Sequence, residues 1–208
     1  MAKLQSGVLE NFSGSIGDLN FYKWKNKLVI RSKRTPTKKP PTEAQLLARE
    51  KFRVLGGLYR KVKLISQIGF KSFTSSMTYK NAFFKYNHSA ISKTETGLII
   101  NYPGLVLSNG ILRGIQVVSA RSSEGIFSLH WKNQYDLSGE EKVYLALLPT
   151  QENYSAIYSE ISCLREKIEL EIPSDWNSSQ FYAYTFIVNK KEDVSNSQYL
   201  GEFFVSVI

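Results

Sequence analysis

Eight cations fall between Lys23 and Lys39: Lys23, Lys25, Lys27, Arg31, Lys33, Arg34, Lys38 and Lys39. They are interleaved with Phe21, Tyr22 and Trp24. Cations neutralise phosphates, and aromatic rings stack on bases or sugar faces, so the cluster predicts contact with a polyanion, with Tyr22 and Trp24 as the stacking platform. If strand pairing ran through them, Lys23, Lys25 and Lys27 would share one side. Two other readings stand beside it. The lysines could be a solvated hairpin face that guards an edge strand. They could also meet an acidic protein surface, including the acidic half of another copy.

A second set repeats at helical spacing: Arg49, Arg53, Arg60 and Lys63. Arg forks pair well with phosphate or carboxylate. Taken alone, this is an ordinary solvated helix face. Beside the first cluster in sequence, it is expected to extend it into one continuous surface.

Catalytic and metal chemistry have little to work with. The two histidines are His88 and His130, and the single cysteine, Cys163, excludes an internal disulfide. The segment "EISCLREKIEL" has neither a local His nor a second Cys. "SGSIGD" lacks the Lys and the helix pattern of a phosphate-cradling loop. Asp136, Glu140 and Glu141 lack calcium-loop spacing, and Glu166, Glu169 and Glu171 read as an acidic strand edge. His130, beside Trp131 on a strand, is expected on the opposite face from that Trp. His88 is expected to make a capping or polar contact. No cofactor, no metal and no enzyme activity are expected.

The elements that must position these residues fall into two textures. "LNFYKWKNKLVIRSK" reads as a β-hairpin, Leu19–Trp24 paired with Leu28–Lys33 with "KNK" as the turn, after a Gly/Ser-rich stretch read as loop with short extended pieces. "RTPTKKPP" must be an extended connector. Thr42 and Gln45 form a capping box, which predicts a helix from about Thr42 to about Ser66. Leu47, Leu55, Leu58, Val62 and Ile65 line its apolar face, opposite the arginines. Gly56 and Gly57 sit mid-helix at a cost of about 1 kcal/mol each, which a kink or a close neighbour would explain. A second helix is expected over about Ser75–Ile91. From Gly97, seven β-rich runs arrive at intervals of 8–12 residues and read as an antiparallel sandwich.

Charge follows the same division. Residues 1–95 carry 19 Lys+Arg against 5 Asp+Glu, and residues 96–208 carry 8 against 13. The expected fold is an α+β N-terminal module, a hairpin plus two helices (1–95), followed by an all-β immunoglobulin/fibronectin III-like sandwich (97–208). A hydrophobic share of 42% suffices to bury a real core, so global disorder is excluded. No apolar run is long enough for a membrane span or a signal-peptide core, which predicts a cytoplasmic or virion protein without membrane contact.

The last hundred or so residues resemble a fibronectin type III or immunoglobulin-like domain. Trp131 closes "FSLHW", where that family puts a core Trp, and Trp176 precedes Tyr182 at the spacing of its tyrosine corner. The resemblance implies that Tyr184, Phe186 and Val188 point into the sandwich. Trp176 stands where Leu is usual, and the corner Pro and the antibody Cys pair are absent. Most of the chain also resembles an uncharacterised Bacteroidetes family, through "GSIGDLNFYKWKNKLVIRSK", "PTEAQLLAREKF", "IGFK" and "SQYLG". The Pro-Thr-x-Ala-Gln segment is similar to virion-type proteins of phages and prophages. The expected protein is a structural or interaction component, with a basic end docked on nucleic acid or an acidic partner and a sandwich making protein contacts, in a virion or other homo-oligomer. The alternative is a cytoplasmic nucleic-acid-binding protein.

Overall fold

Leu55, Leu58, Val62 and Ile65 of the stripe expected to face inward are buried, and Leu47 is half-buried. The computed structural model of the protein describes residues 2–4 (backbone alone), 12–25, 27–34, 39–95, 97–133, 139–176 and 180–205. They form two units, Met1–Thr42 and Glu43–Ile208.

The small unit is an antiparallel sheet. The expected hairpin is its centre: β3 (Leu19–Trp24) pairs with β4 (Lys27–Ser32), with Trp24 opposite Lys27. Lys25 turns the corner at a left-handed φ of 47°. Two short strands flank the hairpin, β1 (Ala2–Leu4) on β4 and β2 (Gly14–Ile16) on β3. Both lie in sequence read as outside the hairpin. Phe21, Leu28 and Val29 are buried, and Phe12 meets Phe21 edge-on with centroids 5.1 Å apart.

The larger unit combines helices with a sandwich of sheets. All seven expected strands form: β7 (Gln116–Ser123), β8 (Ile126–Lys132), β9 (Lys142–Pro149), β10 (Ile157–Ser162), β11 (Lys167–Glu171), β12 (Gln180–Val188) and β13 (Gln198–Phe204). They pair as two antiparallel sheets, β11-β8-β7 and β10-β9-β12-β13. Phe127, Leu129 and Trp131 of β8 meet Val143, Leu145 and Leu147 of β9 and Phe181, Ala183 and Ile187 of β12 between them, with Trp176 closing one end. His130 alternates to the outer face of β8, as expected.

A third layer covers the outer face of the four-stranded sheet. α1 (Glu43–Lys61), α2 (Lys63–Gly69) and α3 (Tyr79–Asn87) pack their apolar sides on Tyr144, Ala146, Leu148, Tyr182, Tyr184 and Phe186. A small hairpin, β5 (Ile91–Thr94) and β6 (Gly97–Ile100), adds Ile91 to this core, where the second helix was expected to end. The helices therefore share a core with the sandwich, and the division by contact falls at Thr42 rather than near residue 96.

Three further expectations differ. The long helix runs unbroken through Gly56 and Gly57 and breaks at Val62, while Val62 and Ser66 keep their i→i−4 backbone bonds across the break. Tyr184 and Phe186 face the helices, and the residues entering the sandwich from β12 are Phe181, Ala183 and Ile187. Among the described residues Tyr182 makes no corner bond to the backbone. Its hydroxyl accepts from the Gln180 side chain at 3.1 Å, and it is Tyr184 whose hydroxyl donates to a backbone carbonyl, that of Tyr102, at 2.8 Å.

The segment between β6 and β7 is tied down by side chains. Asn87 accepts from the Val106 N–H at 2.7 Å and donates to the carbonyls of Val106 and Phe83. Gly69 lies so close to this segment that a Cβ there would stand 2.1 Å from the Leu107 carbonyl oxygen.

Candidate polyanion-binding surfaces

Residues directly opposite in an antiparallel pair project from the same face. In the small sheet this groups Tyr22 with Val29, Trp24 with Lys27 and Asn20 with Arg31 on one face. Phe21 with Ile30 and Lys23 with Leu28 lie on the other. Lys23 and Lys27 therefore point to opposite sides; the condition for Lys23, Lys25 and Lys27 to share one, strand pairing that runs through all three, is not met. The cause is the turn. It takes Lys25 out of the strand, and Lys27 returns as the first residue of β4.

What the sheet does assemble is a cation–aromatic face. The Arg31 guanidinium lies 5.4 Å from the centre of the Tyr22 ring, and the Lys25 ammonium 5.6 Å from that of Trp24. Trp24 keeps 40% of its surface exposed, and Lys27 and Arg31 are exposed beside it. Each exposed cation–ring contact contributes roughly 0.5–1 kcal/mol, enough to bias the side chain without tying it down. Lys33 and Arg34 follow β4 and are exposed, as is Lys39. Lys38 lies outside the described residues.

The larger unit carries the second set. Arg49, Arg53, Arg60 and Lys63 are all exposed along α1 and the start of α2. Gly56 occupies the centre of their stripe, where an added Cβ would meet nothing within 4 Å. A cleft of about 450 Å³ opens there between α1 and α3. Lys80, which sequence reading did not single out, enters it from α3, its ammonium 5.4 Å from the centre of the Phe84 ring. Nothing in the spacing of the arginines could have found Lys80, because the packing of α3 on α1 brings it there.

Not every nearby cation is surface charge. Lys61 donates to the carbonyls of Pro149, Thr150 and Gln151 at 3.2, 3.0 and 2.6 Å, tying α1 to the β9–β10 loop. Burial pushes its pKa down, and Glu152 partly restores it.

The residues with catalytic potential are dispersed. Cys163 is fully buried, and burial pushes its thiol up to about 11, with Glu141 adding to the shift. The His88 ring lies 6.1 Å from Phe52, and His130 sits on β8. Among the described residues no three His, Cys, Asp or Glu side chains are grouped to hold a metal ion. No helix among them is long and apolar enough to cross a membrane.

The larger unit is thus an antiparallel sandwich backed by helices, and the smaller a basic sheet. The chain belongs to the DUF6266 family, a family of unknown function, whose model matches residues 11–201. No curated protein matches it. Among solved structures, the fn3 domain of human contactin 1 is similar over 49% of this chain and 83% of that one, at 13% identity and a TM-score of 0.34.

Proposed function

We propose that this is a non-catalytic structural or interaction protein that docks a polyanion through its small basic sheet. The observation that carries the reading is the face on which Arg31 and Lys25 lie over the Tyr22 and Trp24 rings, with Lys27 beside them. Flat rings edged by cations suit single-stranded nucleic acid, whose bases stack while its phosphates pair. An acidic protein would use the same charges but not the rings. The exposed apolar side chains of the larger unit, Ile111 and Phe204 among them, supply area for protein contacts.

We further propose a home in a Bacteroidetes phage or prophage virion, on the likeness of the Pro-Thr-x-Ala-Gln segment to virion-type proteins. The second reading is a cytoplasmic nucleic-acid-binding protein, favoured by the stacking face itself. Sizing and electron microscopy separate the two. Filaments or rings of the protein alone support a virion component, and a monomer that binds oligonucleotide supports the second.

The docking claim is tested by oligonucleotide binding to the full chain across a salt series. Each phosphate contact on single strands contributes about 0.7 to the logarithmic salt slope. Reversing Lys27 and Arg31 to Glu should flatten the slope by about 1.4. No binding at low salt, or an unchanged slope, overturns the proposal. A shallow salt response with one or two dominant residues, seen with an acidic protein instead, identifies that class of partner.

A further inference from the structure

We propose that the cleft at Gly56 is a second binding site, specific for phosphoryl groups and separate from the small sheet. Four cations converge on it: Arg53, Arg60 and Lys63 from the α1–α2 edge and Lys80 from α3. No carboxylate is among the residues lining it. Glu50 approaches Arg53 at 3.7 Å, a pair exposed enough to contribute little. Like charges gathered around a concavity repel one another, and an anion bound among them relieves that repulsion.

Gly56 makes the cleft. Arg53 and Arg60 are seven residues apart on α1, a rise of about 10.5 Å, with Gly56 between them. A long side chain at 56 would project into the cleft that Arg53 and Arg60 line; the glycine leaves helix backbone as the floor. Phe52, half exposed and stacked on Phe84 at 5.6 Å, gives the wall a flat apolar edge beside the cations. The arrangement fits a chain of two or more phosphoryl groups, either a free nucleotide-type polyphosphate or the backbone of a nucleic acid. It deepens the polyanion reading but rests on residues that the small sheet does not supply.

The test is calorimetric titration of the full chain with inorganic tripolyphosphate, using Lys80→Gln and Gly56→Gln. Lys80→Gln removes one charge. Gly56→Gln fills the cleft while keeping every cation and improving helix propensity. Lys80→Gln should weaken tripolyphosphate about tenfold, the loss expected for one charge-assisted contact, and Gly56→Gln should weaken it by a similar factor by occupying the cleft. Arg31→Glu, in the small sheet, should leave it unchanged. Competition by a single-stranded oligonucleotide would identify the backbone as the natural source, and its absence a free polyphosphate. No tripolyphosphate binding, or binding indifferent to both cleft variants, overturns the proposal. Because the small sheet is read through oligonucleotide salt slopes, failure of one site does not mimic failure of the other.

Discussion

The ring of Tyr182 lies flat against that of Tyr102, centroids 3.8 Å apart and planes 17° from parallel. Tyr182 projects from the outer face of β12 and Tyr102 belongs to the segment that leaves the helical layer. Their contact, with the bond from the Tyr184 hydroxyl to the Tyr102 carbonyl, makes the outer face of β12 an interior surface.

The first prediction concerns what folds alone. Residues 43–208 should fold as an isolated fragment, since both cores lie within them. Residues 97–208 should not, because Tyr144, Leu148, Tyr184 and Phe186 would lose their cover. Dispersed NMR spectra and a cooperative melt are expected of the longer fragment. A shorter fragment that melts as cooperatively as the full chain would refute the shared core.

The glycines make a second, two-signed prediction. Gly56→Ala and Gly57→Ala should each stabilise by about 1 kcal/mol, since both are helical and open to solvent. Gly69→Ala should destabilise by about 3 kcal/mol, because its Cβ would collide with the Leu107 carbonyl. Urea midpoints decide it. A Gly69→Ala protein as stable as wild type would mean that the segment around Leu107 yields.

Trp131 is 2% exposed, and its indole N–H donates to the Cys163 carbonyl at 3.0 Å. Trp131→Ala should cost about 3–5 kcal/mol. Tyr184→Phe, which removes only the bond to Tyr102, should cost about 1 kcal/mol. Chemical denaturation of both variants provides the check, and a cost for Tyr184→Phe near that of Trp131→Ala would contradict the assignment.

Much of this was legible. The seven strands announced themselves through turn spacing, and the helix through its apolar stripe. The third layer was signalled too, but not read. "VYLALL" in β9 is a continuous apolar run and "FYAYTFIV" in β12 is one broken only by Thr185, the pattern of strands covered on both faces rather than an alternation. The fibronectin-type alternation instead placed Tyr184, Phe186 and Val188 inside the sandwich, whereas they face the helices. The sides taken by the lysines rest on a different feature. Faces in a hairpin depend on which residues turn: the strand ends at Trp24, as the sequence reads, so pairing does not run on to put Lys23, Lys25 and Lys27 on one side.

Alkaline pH should weaken the larger unit. Burial raises Tyr184, Tyr144, Tyr182 (to about 12) and the Cys163 thiol (to about 11) above their ordinary values. The folded state then holds protons that the unfolded state gives up, so stability is full below the unfolded values and falls as pH rises from about 9 through about 12. Lys61, lowered by burial, acts in the opposite direction but is one group against four. The urea midpoint should drop between pH 8 and pH 10.5. A flat or rising midpoint would show that the tyrosines ionise freely in the fold.

The docking claim is tested most directly by tryptophan emission. Trp131 and Trp176 are 2% exposed and Trp24 is 40% exposed, so only Trp24 can take a base on its ring. Stacking of this kind contributes about 1–3 kcal/mol per base. A single-stranded oligonucleotide added to the full chain at low salt should quench the red, solvent-exposed component of the emission and leave the blue component of the two buried rings. Trp24→Phe should abolish the change. Binding with unaltered emission, or no binding at all at low salt, would contradict the account.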